Sequence, residues 1–323
     1  MIPASPHVAT MVERTRDSGR SALEQGESLV ELAMDLLQQP KAAQDLIDAV
    51  YLYEHAAALT LEFPLARARA VAGRGAALRR MPGSGLEELQ LARQAFEEAL
   101  PILREQGDPE EAAEAEMSYG LILQTLANVH QANLVEAVQA YQRALRFFGR
   151  ENHPREYAIL HNNLATAYLS MKLAPEREVM REALAVQSFR EALRVVTLDE
   201  DPIEYSMLQN NLGNALQAMR SSHPLENLAR AVEAYDEALK VRTLHDMPVE
   251  HANTLANKAN ALMNLPDDPS QLEAGNPKNL RESARLLRTA QGIFMGHQLA
   301  DRAGMLSELI DSIERDLLHE VPA

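Results

Sequence analysis

The sequence predicts an all-α fold, an α-solenoid in which about six helix pairs stack lengthwise and one more helix closes the C-terminal end. Three observations predict it: a composition that favours helix almost everywhere, a ring-bearing helix pattern that recurs along the chain, and a proline-marked junction of constant length between successive pairs. The 323 residues are rich in Ala, Leu, Glu, Gln and Arg, aromatic residues make up 4%, and tryptophan is absent. That mixture supports helix and gives strands little to build on. A chain of this length exceeds what one compact core usually organises, so two domains or one elongated stack are the natural options.

Two helix types, A and B, alternate. The B type is plain in Ala137-Val-Gln-Ala-Tyr-Gln-Arg-Ala-Leu145 and Ala231-Val-Glu-Ala-Tyr-Asp-Glu-Ala-Leu239. Its ring is Tyr53, Phe96, Tyr141, Phe189 or Tyr235, with Leu287 in the sixth copy. A small residue stands four positions earlier (Ala49, Ala92, Ala137, Ala185, Ala231, Ser283). Alanine stands three positions later (Ala56, Ala99, Ala144, Ala192, Ala238, Ala290). Steps of four and three place all three residues on one helical face, where the small flanks let a neighbouring helix close on the ring.

The A type is seen in Tyr157-Ala-Ile-Leu-His-Asn-Asn-Leu-Ala-Thr-Ala-Tyr168 and Tyr205-Ser-Met-Leu-Gln-Asn-Asn-Leu-Gly-Asn-Ala-Leu216. Its marker is a small residue at Gly75, Gly120, Ala165, Gly213 and Ala259. Glycine inside a helix costs about 1 kcal/mol relative to alanine, so three copies of it point to close contact at that position.

From each of Ala99, Ala144, Ala192 and Ala238 it is 21 residues to the next A marker, with a proline on the way (Pro109, Pro154, Pro202, Pro248) and a glutamate two residues after it. Proline suits the first helical position, Asp108 and Asp201 suit the cap, and glutamate at the third position is placed to reach back to it. From A marker to B helix the spacing varies from 17 to 24. Insertions are tolerated where a loop leaves a packed stack. Loops near Pro82-Gly83, Leu173–Arg177, Ser221–Pro224 and Pro266–Pro277 are therefore expected to project along one edge.

With Leu212-Gly213-x-x-Leu216 and Ala231-x-x-x-Tyr235-x-x-Ala238, the pattern resembles the tetratricopeptide repeat. The Asn-Asn-Leu-Gly/Ala variant and a period of 43 to 52 residues are similar to the long repeats of kinesin light chains and of bacterial caspase-like protease adaptors. The resemblance covers residues 40 to 296. It implies a right-handed superhelix whose A helices line a concave groove for peptides or protein surfaces. The organisation expected is an N-terminal segment and first helix over 1–40, the array over 41–296, and a capping helix and tail over 297–323. Gly19 to Gln38 would supply the first A helix. Gln298 to His319 would cap the array, with Leu299, Met305, Leu309, Ile313 and Leu317 on one side.

Net charge and motifs narrow the function. A formal charge of −16 argues against nucleic acid as the main partner. The absence of cysteine removes disulfides, cysteine nucleophiles and thiolate metal sites, and suits a reducing compartment. No apolar run is long enough to span a bilayer, no signal peptide opens the chain, and the expected location is the cytoplasm. Phosphate loops, dinucleotide fingerprints, nucleophile elbows and His-x-x-x-His pairs are missing, so no enzyme activity, cofactor or metal is expected. The scattered histidines and the helically spaced methionines read as solvated or packing residues.

On the A helices, Asn210, Asn214 and Gln217 lie four and three apart, opposite Leu208, Leu212 and Leu216. Asn162 and Asn260 take matching positions in neighbouring repeats. The resemblance turns this face into the groove, where amides would bond a partner's backbone. Asn163, Asn211 and Asn257 form a second ladder, and for both ladders the alternative to groove binding is bonding between adjacent helices of the stack. Arg67, Arg69, Arg74, Arg79 and Arg80 crowd one helix, and Arg69, Arg79 and Arg80 map to groove positions. There they would either clamp carboxylates of a partner or pair with Glu87, Glu88 or Glu97. The expected function is a cytoplasmic, non-catalytic adaptor that holds a protein or peptide. The alternative is a regulator whose pitch responds to a small ligand or peptide. A homo-oligomer is left open by the sequence but not indicated by it.

Overall fold

The computed structural model describes residues 4–81, 83, 85–172, 174–268, 270 and 275–319. These residues form fourteen helices and no strand. They divide into two compact units, Met1–His153 and Pro154–Ala323. The first contains α1 (Pro6–Arg16), α2 (Ala22–Gln38), α3 (Ala43–Leu59), α4 (Pro64–Arg80), α5 (Leu86–Gln106), α6 (Pro109–Asn128) and α7 (Leu134–Ala144). The second contains α8 (Pro154–Ser170), α9 (Pro175–Ala192), α10 (Pro202–Ala218), α11 (Pro224–Leu239), α12 (Pro248–Met263), α13 (Pro277–Gly296) and α14 (Ala300–His319).

Even-numbered helices from α2 to α12 are the A helices, and each packs on the odd-numbered B helix that follows it. Six pairs result, with α14 closing on α13. The ring positions form the core of each pair: Phe96, Tyr141, Phe189, Tyr235 and Leu287 are almost wholly buried, as are their alanine flanks. The glycine markers are explained by distance. A Cβ at Gly120 would lie 2.4 Å from the Tyr141 ring, and one at Gly213 would lie 2.5 Å from the Tyr235 ring. Each glycine is the seat for its own pair's ring.

A polar bond marks the register of several pairs. Eight residues before the A marker, Arg67, Tyr157 and Tyr205 donate to Glu98, Glu191 and Glu237, each one residue before the B helix's second alanine, at 2.7, 2.7 and 3.0 Å. The variable A-to-B loops are tied by B-helix side chains that cap the A helix. Arg181 Nη1 donates to the carbonyls of Leu169 and Met171 at 2.9 and 2.8 Å. Asn276 and Asn279 Nδ2 donate to those of Met263 and Leu265 at 2.6 and 2.9 Å. Such caps satisfy carbonyls that every helix end leaves open, whatever the loop length. Of the four expected loops, Pro82, Leu173, Pro269 and 271–274 lie outside the described residues.

Two expectations are corrected, and two features lie outside what was expected. A separate helix, α1, precedes the first pair and is anchored where the Ser5 backbone N–H donates to buried Asp48 at 2.7 Å. The glutamate reach-back holds at α6, where Glu111 Oε2 accepts from the Asp108 N–H at 3.1 Å. Neither Asp108 nor Asp201, however, makes a side-chain cap hydrogen bond. On α14 the buried stripe is Ala303, Ile310 and Ile313, flanked by Leu306, Leu309 and Leu317, while Met305 is 71% exposed. Steps of four advance 400° around a helix, so the series 305, 309, 313, 317 drifts off one face. Finally, Arg242 occupies the place four residues after the B-helix alanine that Leu103, Phe148 and Val196 fill with buried apolar side chains. Its guanidinium is instead held by Ser206 and Thr254 hydroxyls at 3.4 and 3.0 Å, and burial lowers its pKa.

Candidate functional site

The amide ladder of the second unit is largely engaged within the fold. Asn210 is 8% exposed, and its Oδ1 accepts from Thr254 Oγ1 at 3.2 Å and Asn257 Nδ2 at 3.3 Å, both on α12. It therefore serves the stack rather than an open face. Helical spacing placed it opposite the leucines of its own helix, whereas the next A helix covers it. Asn214 is exposed and Gln217 half-buried, and both side-chain carbonyls lie within hydrogen-bonding distance of the Tyr235 hydroxyl, at 2.8 and 3.0 Å. Asn260 is exposed on α12. Asn162 is half-buried on α8 with its Oδ1 sealed and unpartnered, as is Nδ2 of Asn163. Beside them, His161 packs at a tilt against Tyr157 with ring centroids 4.3 Å apart, and burial lowers its pKa.

The α4 arginines are also spoken for in part. Arg69 forms a forked pair with Glu111 on α6, at 2.7 and 3.1 Å. That pair and its charge raise the Arg69 pKa. Its acidic partner comes from the next A helix, not from Glu87, Glu88 or Glu97. Arg80 donates to the Leu37 carbonyl at the end of α2. Arg79 has no ion pair among the described residues, and burial lowers its pKa.

An open site does exist in the first unit: a cleft of about 470 Å³ between α2, α4 and α6. Each helix contributes a stripe at steps of three and four, including Glu27, Val30, Glu31 and Met34 on α2, and Glu111, Glu114, Ala115 and Ser118 on α6. The α4 floor consists of Ala66, Arg69, Ala72, Gly73 and Ala76, with Tyr53 and Phe96 beneath. Gly73 is what admits Tyr53 to the floor, since a Cβ there would lie 2.3 Å from the ring. Tyr53 is 3% exposed, and burial pushes its phenol up to about 12. Of the groove residues expected from the sequence, this cleft contains Arg69 alone, while Tyr53 and Phe96 reach it as rings of the packing pattern. The signal that could have located it was the run of small residues on α4, of which only Gly75 was used.

The described residues contain no cluster of His, Asp and Glu fit to hold a metal, and no helix long and apolar enough to cross a membrane.

What these elements define is an all-α array of helix pairs with an open cleft on its A helices. No protein-family model and no curated protein sequence matches the chain. Among solved structures, it is similar to the signal transduction ATPase with numerous domains (STAND) protein with a tetratricopeptide repeat sensor from Pyrococcus horikoshii. The TM-score is 0.55 at 14% identity, over 93% of this chain and 42% of that one, so this chain spans less than half of that protein's length. A second match is the TPR2AB-domain:pHSP90-complex of yeast Sti1, with a TM-score of 0.30 at 16% identity over 90% of this chain and 99% of that one. The fold is a tetratricopeptide-like helix-pair array.

Proposed function

We propose that the chain is a non-catalytic interaction scaffold whose cleft between α2, α4 and α6 receives a segment of a partner protein. One observation carries this reading: three successive A helices present matched stripes around an unfilled cleft of about 470 Å³. A volume of that order suits a few residues of peptide. The small floor at Ala66, Ala72, Gly73 and Ala76 lets a backbone approach α4 closely. A cysteine-free chain suits a reducing compartment, and we place the protein in the cytoplasm.

The test is selection of binders from a random displayed peptide library, followed by hydrogen exchange on the complex. Bound peptides should protect α2, α4 and α6. The variant Ala72→Trp, which fills the floor, should lose them while keeping its helical circular dichroism. Selected peptides that bind wild type and Ala72→Trp equally would refute the cleft as the site.

A further inference from the structure

We infer that the segment received by this cleft carries a lysine or arginine, whose cation Glu27 and Glu31 hold, and presents a carbonyl that takes the Tyr53 hydroxyl. The inference rests on the cleft being a peptide site and adds the chemistry of its occupant.

The first argument is charge. Four carboxylates line the cleft, Glu27, Glu31, Glu111 and Glu114, against one guanidinium, Arg69. That guanidinium already forks onto Glu111. Glu27 and Glu31 stand one turn apart on α2, both exposed, with no ion pair among the described residues. Like charges at this spacing repel, and a cation between them relieves the repulsion. An acidic ligand would add to it.

The second argument is the phenol. Tyr53, Tyr141 and Tyr235 occupy the same place in their B helices. Tyr141 donates to Gln124 at 2.7 Å, and Tyr235 to Asn214 or Gln217, on the partner A helix. The A helix opposite Tyr53 offers Met34 and Leu37 instead, and no hydrogen bond is made by the Tyr53 hydroxyl among the described residues. A nearly buried donor therefore lines the cleft without an acceptor. A peptide carbonyl is an acceptor, whereas a protonated polyamine has only donors, so the phenol separates two kinds of cationic ligand. Val30 and Met34, the latter 44% exposed, give an apolar wall along which the stem of a lysine or arginine can lie.

The experiment uses the intact protein and three labelled dodecapeptides of one alanine–serine–leucine background, carrying two central arginines, two glutamines or two glutamates. Fluorescence anisotropy is read at low and high salt, with spermidine as a competitor. The arginine peptide should bind about tenfold or more tighter than the glutamine peptide, and the glutamate peptide weakest. High salt should shrink the preference. Glu27→Gln/Glu31→Gln should bring the arginine peptide to the glutamine peptide's affinity, and Glu27→Lys/Glu31→Lys should reverse the order. Tyr53→Phe should weaken the arginine and glutamine peptides by a common factor. Thermal melts of each variant establish that it is folded. Equal binding of arginine and glutamine peptides, both blocked by Ala72→Trp, would overturn the inference and leave the cleft reading standing. So would spermidine displacing the arginine peptide with no dependence on Tyr53. Failure of every peptide to respond to Ala72→Trp would overturn both.

Discussion

The first and fifth helix pairs are built on the same tyrosine and differ in what meets its hydroxyl. In α10/α11, Tyr235 is fully buried, seated on Gly213, and its phenol is shared between Asn214 and Gln217. In α2/α3, Tyr53 packs against Gly73 of the following A helix, and no amide answers its phenol. One ring is complete within its pair, and the other lines an open cleft. The scaffold position is the same in both pairs, while the polar partner decides whether the phenol is satisfied inside its pair or left lining the cleft.

Replacing either ring by alanine is the coarsest way to break this comparison. Tyr235→Ala and Tyr53→Ala should each cost about 3–5 kcal/mol in urea unfolding, because both remove a buried ring. A loss below about 1 kcal/mol in Tyr235→Ala would mean the ring does not seat the pair. Next in size is the seat itself. Gly213→Ala gains about 1 kcal/mol of helix propensity, but its Cβ would lie 2.5 Å from the Tyr235 ring. Net destabilisation of about 1–3 kcal/mol is expected from overpacking. A stabilised variant would show that glycine there is not a packing requirement.

Alkaline pH reads the phenols directly. Burial pushes Tyr53 and Tyr119 up to about 12, with the charge of Glu97 adding to the effect at Tyr119. Their folded-state pKa lies above the unfolded value near 10, so the folded state holds its protons longer. The stability they contribute is complete below pH 10 and is lost as pH rises through 12. By pH 11 Tyr53 should account for about 1 kcal/mol of that loss. Comparing the wild-type and Tyr53→Phe melting temperatures from pH 9 to 11.5 should show a shallower fall in the variant. Parallel curves would contradict the burial of the phenol.

The smallest effect separates the two pairs most sharply. Tyr235→Phe should cost about 1 kcal/mol, the usual worth of a hydrogen bond. Tyr53→Phe should cost close to nothing at neutral pH, since no bond is lost. Equal costs in the two variants would erase the distinction between a closed and an open pair.

The repeat register was legible in the sequence because it is a matter of local spacing. The rings, their alanine flanks, the glycine seats and the proline junction recur at fixed offsets, and the structure uses each of them. The site was less legible. Asn210 and Asn214 sit four apart on one helix, yet one bonds the next A helix and the other remains exposed. Arg69 finds its carboxylate at Glu111, 42 residues on and across a helix pair. Spacing assigns a residue to a face of its own helix, but it does not say which neighbour covers that face. Arg242 lay midway: its offset from Ala238 marks it as a plug position, while the hydroxyls that receive it come from α10 and α12.

By itself, the sequence determined that this chain forms paired helices with a large apolar residue between small ones at every step, since the 3.6-residue turn converts offsets of three and four into one packed face. The tertiary structure alone decided which polar groups are consumed within the stack and which stay open on its surface. That choice depends on the distance between side chains of helices tens of residues apart, a quantity that no local period encodes.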